Sequence, residues 1–425
     1  MLDPSALDLS VRHLAPSATL AINELSADLQ RQGRDIVRFG LGQSPFPVPG
    51  PVVEALRRHA HQKDYLPVQG LLPLRQAVAR FHARRDGLTG RDAAHVMVGP
   101  GSKELLFLLQ LVYDAELLLP NPSWVSYAPQ AGLAGRDVRW LETHGEQDWQ
   151  LMPDVLEAAC DGGSRARVLL LNSPSNPTGR SHDAAALKAL ADVCRRHQIL
   201  VLSDEIYGEL HHTGAHVSMA RFYPEGTIVS AGLSKWCGAG GWRLGTFSFP
   251  PELDFVLRAM CAVASESFTS VSAPIQHAAI VAFELSEEVL IYLERSRRVL
   301  RALGGWCRER LVGGGALCTV PDGGFYLMPD LGPLAPALRA RGIDGSEVLA
   351  QRLLEDTGVA LLPGTAFGRP PSELSVRMAY VDFDGRAALD SVTESVDDDW
   401  LHAHCPRVLE GIDRWVSWMN ESDPP

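Results

Sequence analysis

The chain has 425 residues, 46% hydrophobic and 21% charged, enough for more than one core and without a low-complexity tract. A net charge of -12, with no basic stripe carrying interleaved aromatics, argues against nucleic acid or an anionic membrane as the main partner. The seven cysteines form no CxxC pair, no apolar run approaches a membrane span, and the first twenty residues lack an export pattern. A cytoplasmic protein without a metal site is therefore expected.

In chain order, ATLAINELSADLQRQG (18–33) has helical periodicity and a glycine stop. DIVRFGLG follows and runs into QSPFPVPGP, held extended by its prolines. HVMVG (95–99) reads as a strand entering the helix SKELLFLLQLVYD, and AELLLP (115–120) as a strand leading to NPSW. RVLLLN (167–172) precedes the loop SPSNPTG and a helix from about Ala184 to His197. ILVLSDEIY (199–207), TIVSAGLS (227–234) and WRLGTFSF (242–249) are further strands. Short apolar strands without clean alternation, separated by helices, predict a mostly parallel sheet covered on both faces, with ligands beyond the strands' carboxyl ends. From about residue 290 an arginine-rich helix precedes GGFYLMPDL and ELSVRMAYVD, which predicts a smaller second domain joined by the N-terminal fifty residues.

Lysine is scarce: 35 of the 39 basic residues are arginine, and the lysines are Lys63, Lys103, Lys188 and Lys235. Lys235 sits in AGLSKWCGAGGWRLG, with Arg243 eight residues on. An amine nucleophile must be neutral, and a free lysine is so in only about one molecule in 2,500 at pH 7; a strand-end pocket beside a second cation favours that form. GAGGWR fails as a dinucleotide fingerprint because Arg243 stands where glycine is needed. VGPGSKE puts Gly101 and Ser102 at a helix start suited to an anion. Asn176 lies in a proline-bounded loop, Asp204 and Tyr207 end a strand too apolar for an unpartnered carboxylate, and Trp124 is a stacking platform or core filler. Arg377, inside an apolar strand, suits bidentate carboxylate binding or a structural ion pair. Together these converge on pyridoxal 5'-phosphate, which presents a phosphate, an aromatic ring, a ring nitrogen, a phenolic oxygen and an aldehyde that needs a lysine.

Through SATLAINELSADLQRQGRDIVRFGLGQSPFPVP, KDYLPVQGLLPLRQAVARF, PNPSW, NSPSNPTG, SDEIY, LSKWCGAGGWRLG, GGFYLMPD, LLPGTAFG and SVRMAY, the sequence resembles a class I aminotransferase of the aspartate aminotransferase family, a fold type I pyridoxal-phosphate enzyme. The resemblance implies a three-layer αβα large domain over 51–290, a small α+β domain over 291–425, and residues 1–50 as an arm that completes the small domain. It implies that Lys235 forms the internal aldimine and shuttles the α-proton, that Asp204 pairs with the ring nitrogen, and that Tyr207 and Asn176 bond the phenolic oxygen. Trp124 would stack on the ring, while Gly101, Ser102, Lys103, Ser234 and Arg243 would hold the phosphate. Tyr65 would reach the phosphate of a second subunit, giving a homodimer with shared sites. Arg377, with Asn176 and the Gly42 backbone, would bind the α-carboxylate of an amino acid or 2-oxo acid.

Two departures stand out. Gly232 replaces a serine or threonine common in the family, so a phosphate hydrogen bond is expected to be lost or moved to Ser234, with Ser267, Thr269 or Ser270 of a partner as candidates. The stretch SESFTSVS lacks the arginine that dicarboxylate-specific members use, leaving Arg258 and Glu266 nearby and making aspartate an unexpected donor. The alternative reaction is elimination, substitution or C–C bond formation on the same scaffold, as in 1-aminocyclopropane-carboxylate synthase-like enzymes. A ligand-sensing domain of a transcription regulator is disfavoured by the short N-terminal extension.

Overall fold

A computed structural model describes residues 16–161 and 165–420. Seven strands build the main sheet: β2 (Val96–Gly99), β3 (Glu116–Asn121), β4 (Val138–Glu142), β5 (Arg167–Asn172), β6 (Leu200–Asp204), β7 (Thr227–Gly232) and β8 (Gly245–Ser248). Their order is β2-β8-β7-β6-β5-β3-β4, and only the pairings of β8 are antiparallel. The short β1 (Val37–Arg38) runs parallel to β10 (Val359–Ala360), while β9 (Tyr326–Leu327), β11 (Leu362–Pro363) and β12 (Val376–Ala379) form a three-stranded antiparallel sheet.

The sheet is buried on both faces, as its unalternating strands require. Along β5, Val168 and Leu170 enter one apolar cluster with Leu105, Leu109 and Phe247, whereas Leu169 and Leu171 enter the opposite one with Leu187, Leu190 and Ile199. Helix Ala184–Arg196 starts on the Asp183 side chain, which accepts from Ala186 N, and carries Arg195 and Arg196 in its last turn, favourable to the helix dipole. The sequence reading placed β5 correctly and ran β6 three residues too far, through Ile206 and Tyr207, which lie in the turn after Asp204. It missed β4, the sheet's outer strand, which exposes Arg139, Trp140 and Glu142 and buries only Leu141 of its five residues.

Behind the end of β6 lies a buried ionic network. Glu205 accepts from Ser203 Oγ at 2.8 Å, Ser218 Oγ at 2.6 Å and Arg85, and contacts His216 Nε2 at 2.9 Å. Arg85 also donates to both oxygens of Asp86, each at 2.7 Å. The close approach of Asp86, Glu205 and His216 is filled by this guanidinium, which supplies the positive charge there. Burial alone would raise the carboxyl of Glu205, but His216 and Arg85 outweigh it and hold it below its usual range; Asp86 is depressed likewise, mainly by Arg85.

Removing one partner of such a buried pair is costly. Arg85→Met is expected to lower unfolding free energy by roughly 3–5 kcal/mol in urea titrations, whereas Arg258→Met, which breaks an exposed pair with Asp254, should cost under about 1 kcal/mol. Because the folded carboxyls of Asp86 and Glu205 are depressed, their contribution is complete above the unfolded values and lost as pH falls. Stability should therefore decline from about pH 4.5 downward, and Arg85→Met should flatten that decline.

Candidate active site

The carboxyl ends of the parallel strands converge on one cavity of about 430 Å³. β5 delivers Asn172, β6 delivers Asp204 and then Tyr207, β7 leads into Ser234 and Lys235, and β2 leads into Ser102 and Lys103 at a helix start. From the other side come Gly42, Tyr326 of β9 and Arg377 of β12. Lys103, Trp124, Asn176, Asp204, Tyr207, Ser234, Lys235, Arg243, Gly42 and Arg377, far apart in sequence, all line this one space.

Asp204 is 3% exposed, and among the described residues it has no cationic partner. Its oxygens accept from two hydroxyls, Tyr127 at 2.7 Å and Ser230 at 3.2 Å, and from the backbone N–H of Ile206. Burial raises its carboxyl above the ordinary range, against the pull of those donors. Register fixes its place, since Asp204 pairs with Asn172 of β5 and Ser230 of β7, and Asn172 Nδ2 donates to the Asp204 carbonyl at 2.8 Å.

Arg377 is the complementary case: a guanidinium 1% exposed with no carboxylate partner among the described residues. It donates to the Gly40 carbonyl and, at 3.4 Å, to Asn176 Oδ1, while its Nε is unpartnered. Tyr326 and Phe367 lie against it, at 4.8 and 5.3 Å from the ring centroids, and burial lowers its proton affinity. Lys235 Nζ donates to the Gly42 carbonyl at 2.7 Å, near the rings of Tyr207 and Phe325.

The helix Ser102–Val112 begins at Gly101, whose φ of 88° and tight surroundings require glycine. A Cβ there would fall 2.2 Å from Arg243 Nη2. Arg243 is held by the carbonyls of Gly240 and Pro100, at 3.0 and 3.3 Å. Free helix-start N–H groups beside an arginine make an anion cradle. Gly232 has a structural reason: a Cβ would meet the Leu244 carbonyl at 2.9 Å across the β7–β8 pairing, and Ser234 lines the cavity nearby. Glu266 is exposed and away from the lining, as are Ser267 and Thr269, whereas Tyr65 is 90% exposed.

The chain matches the family described as aminotransferase class I and II over residues 34–384. The chain belongs to that family. It is 35% identical over 398 residues to an aspartate aminotransferase of Geobacillus stearothermophilus, covering 91% of this chain and 96% of the relative. An aspartate/prephenate aminotransferase of Thermus thermophilus is 34% identical, covering 88% and 94%. Among solved structures, the Thermus thermophilus aspartate aminotransferase with maleate superposes with a TM-score of 0.84 at 31% identity, covering 97% of this chain and 99% of that one. The protein is thus a transferase with the fold type I architecture, and it is an aminotransferase by kinship across nearly its whole length.

Sequence reasoning missed Tyr127, Ser230, Asn172 and Tyr326. Tyr127 lies in the helix after NPSW and meets Asp204 across 77 positions, a contact that no local pattern reveals. For the cradle, Gly101→Ala should displace Arg243 and weaken the binding of a phosphate-bearing ligand at least about tenfold, roughly 1.4 kcal/mol. The melting temperature of the variant should fall as well, since a φ of 88° with a ψ of 154° suits glycine; equal affinity by equilibrium dialysis would contradict the assignment.

Proposed function

We propose that the cavity binds pyridoxal 5'-phosphate and transfers an amino group between an L-amino acid and a 2-oxo acid, with Lys235 as the reactive amine. The observation that carries this reading is the pairing, in one cavity, of a buried carboxylate without a cation and a buried guanidinium without an anion among the described residues. The residues fit the cofactor: Asp204 suits a protonated ring nitrogen, Trp124 a stacked ring, Tyr207 and Asn176 a phenolic oxygen, and Gly101, Ser102, the Lys103 backbone, Ser234 and Arg243 a phosphate. When bound, this group supplies an aldehyde that captures the substrate amine and a ring that accepts the electron pair left by α-proton removal. Arg377 and Asn176 would hold the α-carboxylate, and the Lys235 amine would act as the general base that takes and holds the substrate's α-proton. The hydrogen bonds from Tyr127 and Ser230 favour the anionic form of Asp204 against its burial, and that form would favour the electron-accepting form of the ring.

For the donor, the relatives named aspartate aminotransferases weigh against the expectation drawn from the missing arginine. The cavity offers another cation. Lys103 Nζ lies 5.4 Å from the Trp124 ring, with Ser17 and Thr19 on the same lining, and burial followed by Arg243 lowers its proton affinity. We read this group as facing an acidic side chain of the donor. Tyr65, exposed here, is read as reaching the phosphate of a second copy in a homodimer, and seven free thiols fit a reducing cytoplasm. Among the described residues no helix is long and apolar enough to cross a membrane. Residues 51–290 and 291–425 are taken as the large and small domains.

The test is a half-reaction: purified enzyme and cofactor with single amino acids and no 2-oxo acid. Release of one 2-oxo acid per site, with the cofactor left as its amine, is expected from L-aspartate or L-glutamate. Regeneration of the aldehyde with other products would move the assignment to elimination or substitution chemistry. Lys235→Ala should abolish turnover, a loss of at least about 10⁴-fold, with the fold intact by circular dichroism.

A further inference from the structure

Tyr326 has no part in the reaction as described so far, yet it touches each half of the site. It begins β9 and pairs with Ala379, which places it on the same face as Arg377, two residues away on β12. Its ring centroid is 4.8 Å from the Arg377 guanidinium carbon. Its hydroxyl lies 2.9 Å from the Tyr207 hydroxyl and 3.4 Å from the Gly42 carbonyl, the same carbonyl to which Lys235 Nζ donates at 2.7 Å. The side chain is 1% exposed, and it fixes the residue facing it: a Cβ on Gly42 would fall 1.9 Å from the Tyr326 oxygen.

We propose that Tyr326 is a positioning residue whose single hydroxyl proton alternates between the Gly42 carbonyl and Tyr207 according to where the Lys235 amine lies. The inference rests on the aminotransferase reading. A phenol has one proton to donate. With the Lys235 amine free, it takes the Gly42 carbonyl by the shorter bond, and the proton of Tyr326 turns to Tyr207. A hydroxyl that accepts a hydrogen bond becomes a better donor, so Tyr207 then presents its own proton more strongly to the cavity. With Lys235 committed to the aldehyde, the carbonyl is vacated, Tyr326 turns to it, and Tyr207 donates more weakly. Burial and the neighbouring Tyr326 hold the Tyr207 phenol well above its ordinary range, so it keeps the proton this relay directs. The ring of Tyr326 does separate work, packing against the guanidinium that takes the carboxylate. The hydroxyl thus acts on the chemical step and the ring on binding.

The experiment compares wild type, Tyr326→Phe and Tyr326→Leu as cofactor-loaded enzymes. It reads kcat and KM with the fastest donor among the twenty L-amino acids, and the pH titration of the bound cofactor's visible absorbance with the α-methyl analogue of that donor in place, which has no α-proton to lose and leaves the Lys235 amine free for the Gly42 carbonyl. A wild type with no donor fails the aminotransferase reading itself, before the variants are compared. For Tyr326→Phe the titration midpoint should rise by at least about 0.5 pH unit. A less well solvated ring oxygen holds the nearby proton more tightly, so the midpoint moves up. Its kcat should fall about tenfold with KM within about twofold. Tyr326→Leu should in addition raise KM at least about tenfold. A Tyr326→Phe enzyme with the wild-type midpoint and kcat would overturn the proposal, as would one whose KM rises as much as that of Tyr326→Leu. If Tyr326→Leu does not fold, the near-isosteric phenylalanine variant decides alone.

Discussion

Two buried groups of opposite charge, neither paired with a counter-ion among the described residues, set the terms for everything around them. Moving an ion into a protein interior costs several kcal/mol even after relaxation, so an unpaired buried charge persists only where something else compensates it. Tyr127 and Ser230 do part of this for Asp204, and the Gly40 carbonyl with Asn176 does part for Arg377. The remainder is left for ligands. On the proposed reading, a ring cation beside Asp204 and a carboxylate against Arg377 would complete the site.

The fold supplies the rigidity this needs. Asp204 and Glu205 are consecutive residues that diverge at the end of β6, one into the cavity and the other into the network of Arg85, Asp86 and His216. The Glu205 backbone N–H donates to the Ser230 carbonyl at 2.9 Å, and the Ser230 hydroxyl donates to Asp204. The network therefore anchors the strand end from behind while the cavity side carries Asp204. The anion cradle is equally built in, because Gly101 and Gly245 let a helix start, a strand and Arg243 pack where side chains would collide.

Much of this was legible in the sequence for a specific reason. Strands buried on both faces are short apolar runs, and the polar residues at their carboxyl ends are conspicuous: Asp204 and Lys235 stand out against ILVLSD and TIVSAGLS. The edge strand β4, with Arg139 and Trp140 exposed, offered no such run. Neither did the hydroxyl partners. Tyr127 and Tyr326 read as core aromatics, and indeed they are buried, but their oxygens act through contacts 77 and 119 positions away. Gly42 and Gly232 carried a readable hint, since glycine where the backbone has no turn often marks a close approach. What approaches them, the Tyr326 hydroxyl and the Leu244 carbonyl, only the fold reveals.

The central claim is that Asp204 is an anion awaiting a cation. The most direct measurement is the ¹⁵N chemical shift of pyridoxal 5'-phosphate labelled at its ring nitrogen and bound to the enzyme, followed from pH 6 to pH 9. A protonated ring nitrogen throughout that range is the expected result, since the buried carboxylate makes loss of that proton costly. A ring nitrogen that is neutral at pH 7 would contradict the account, because Asp204 would then be buried without the partner that its surroundings require.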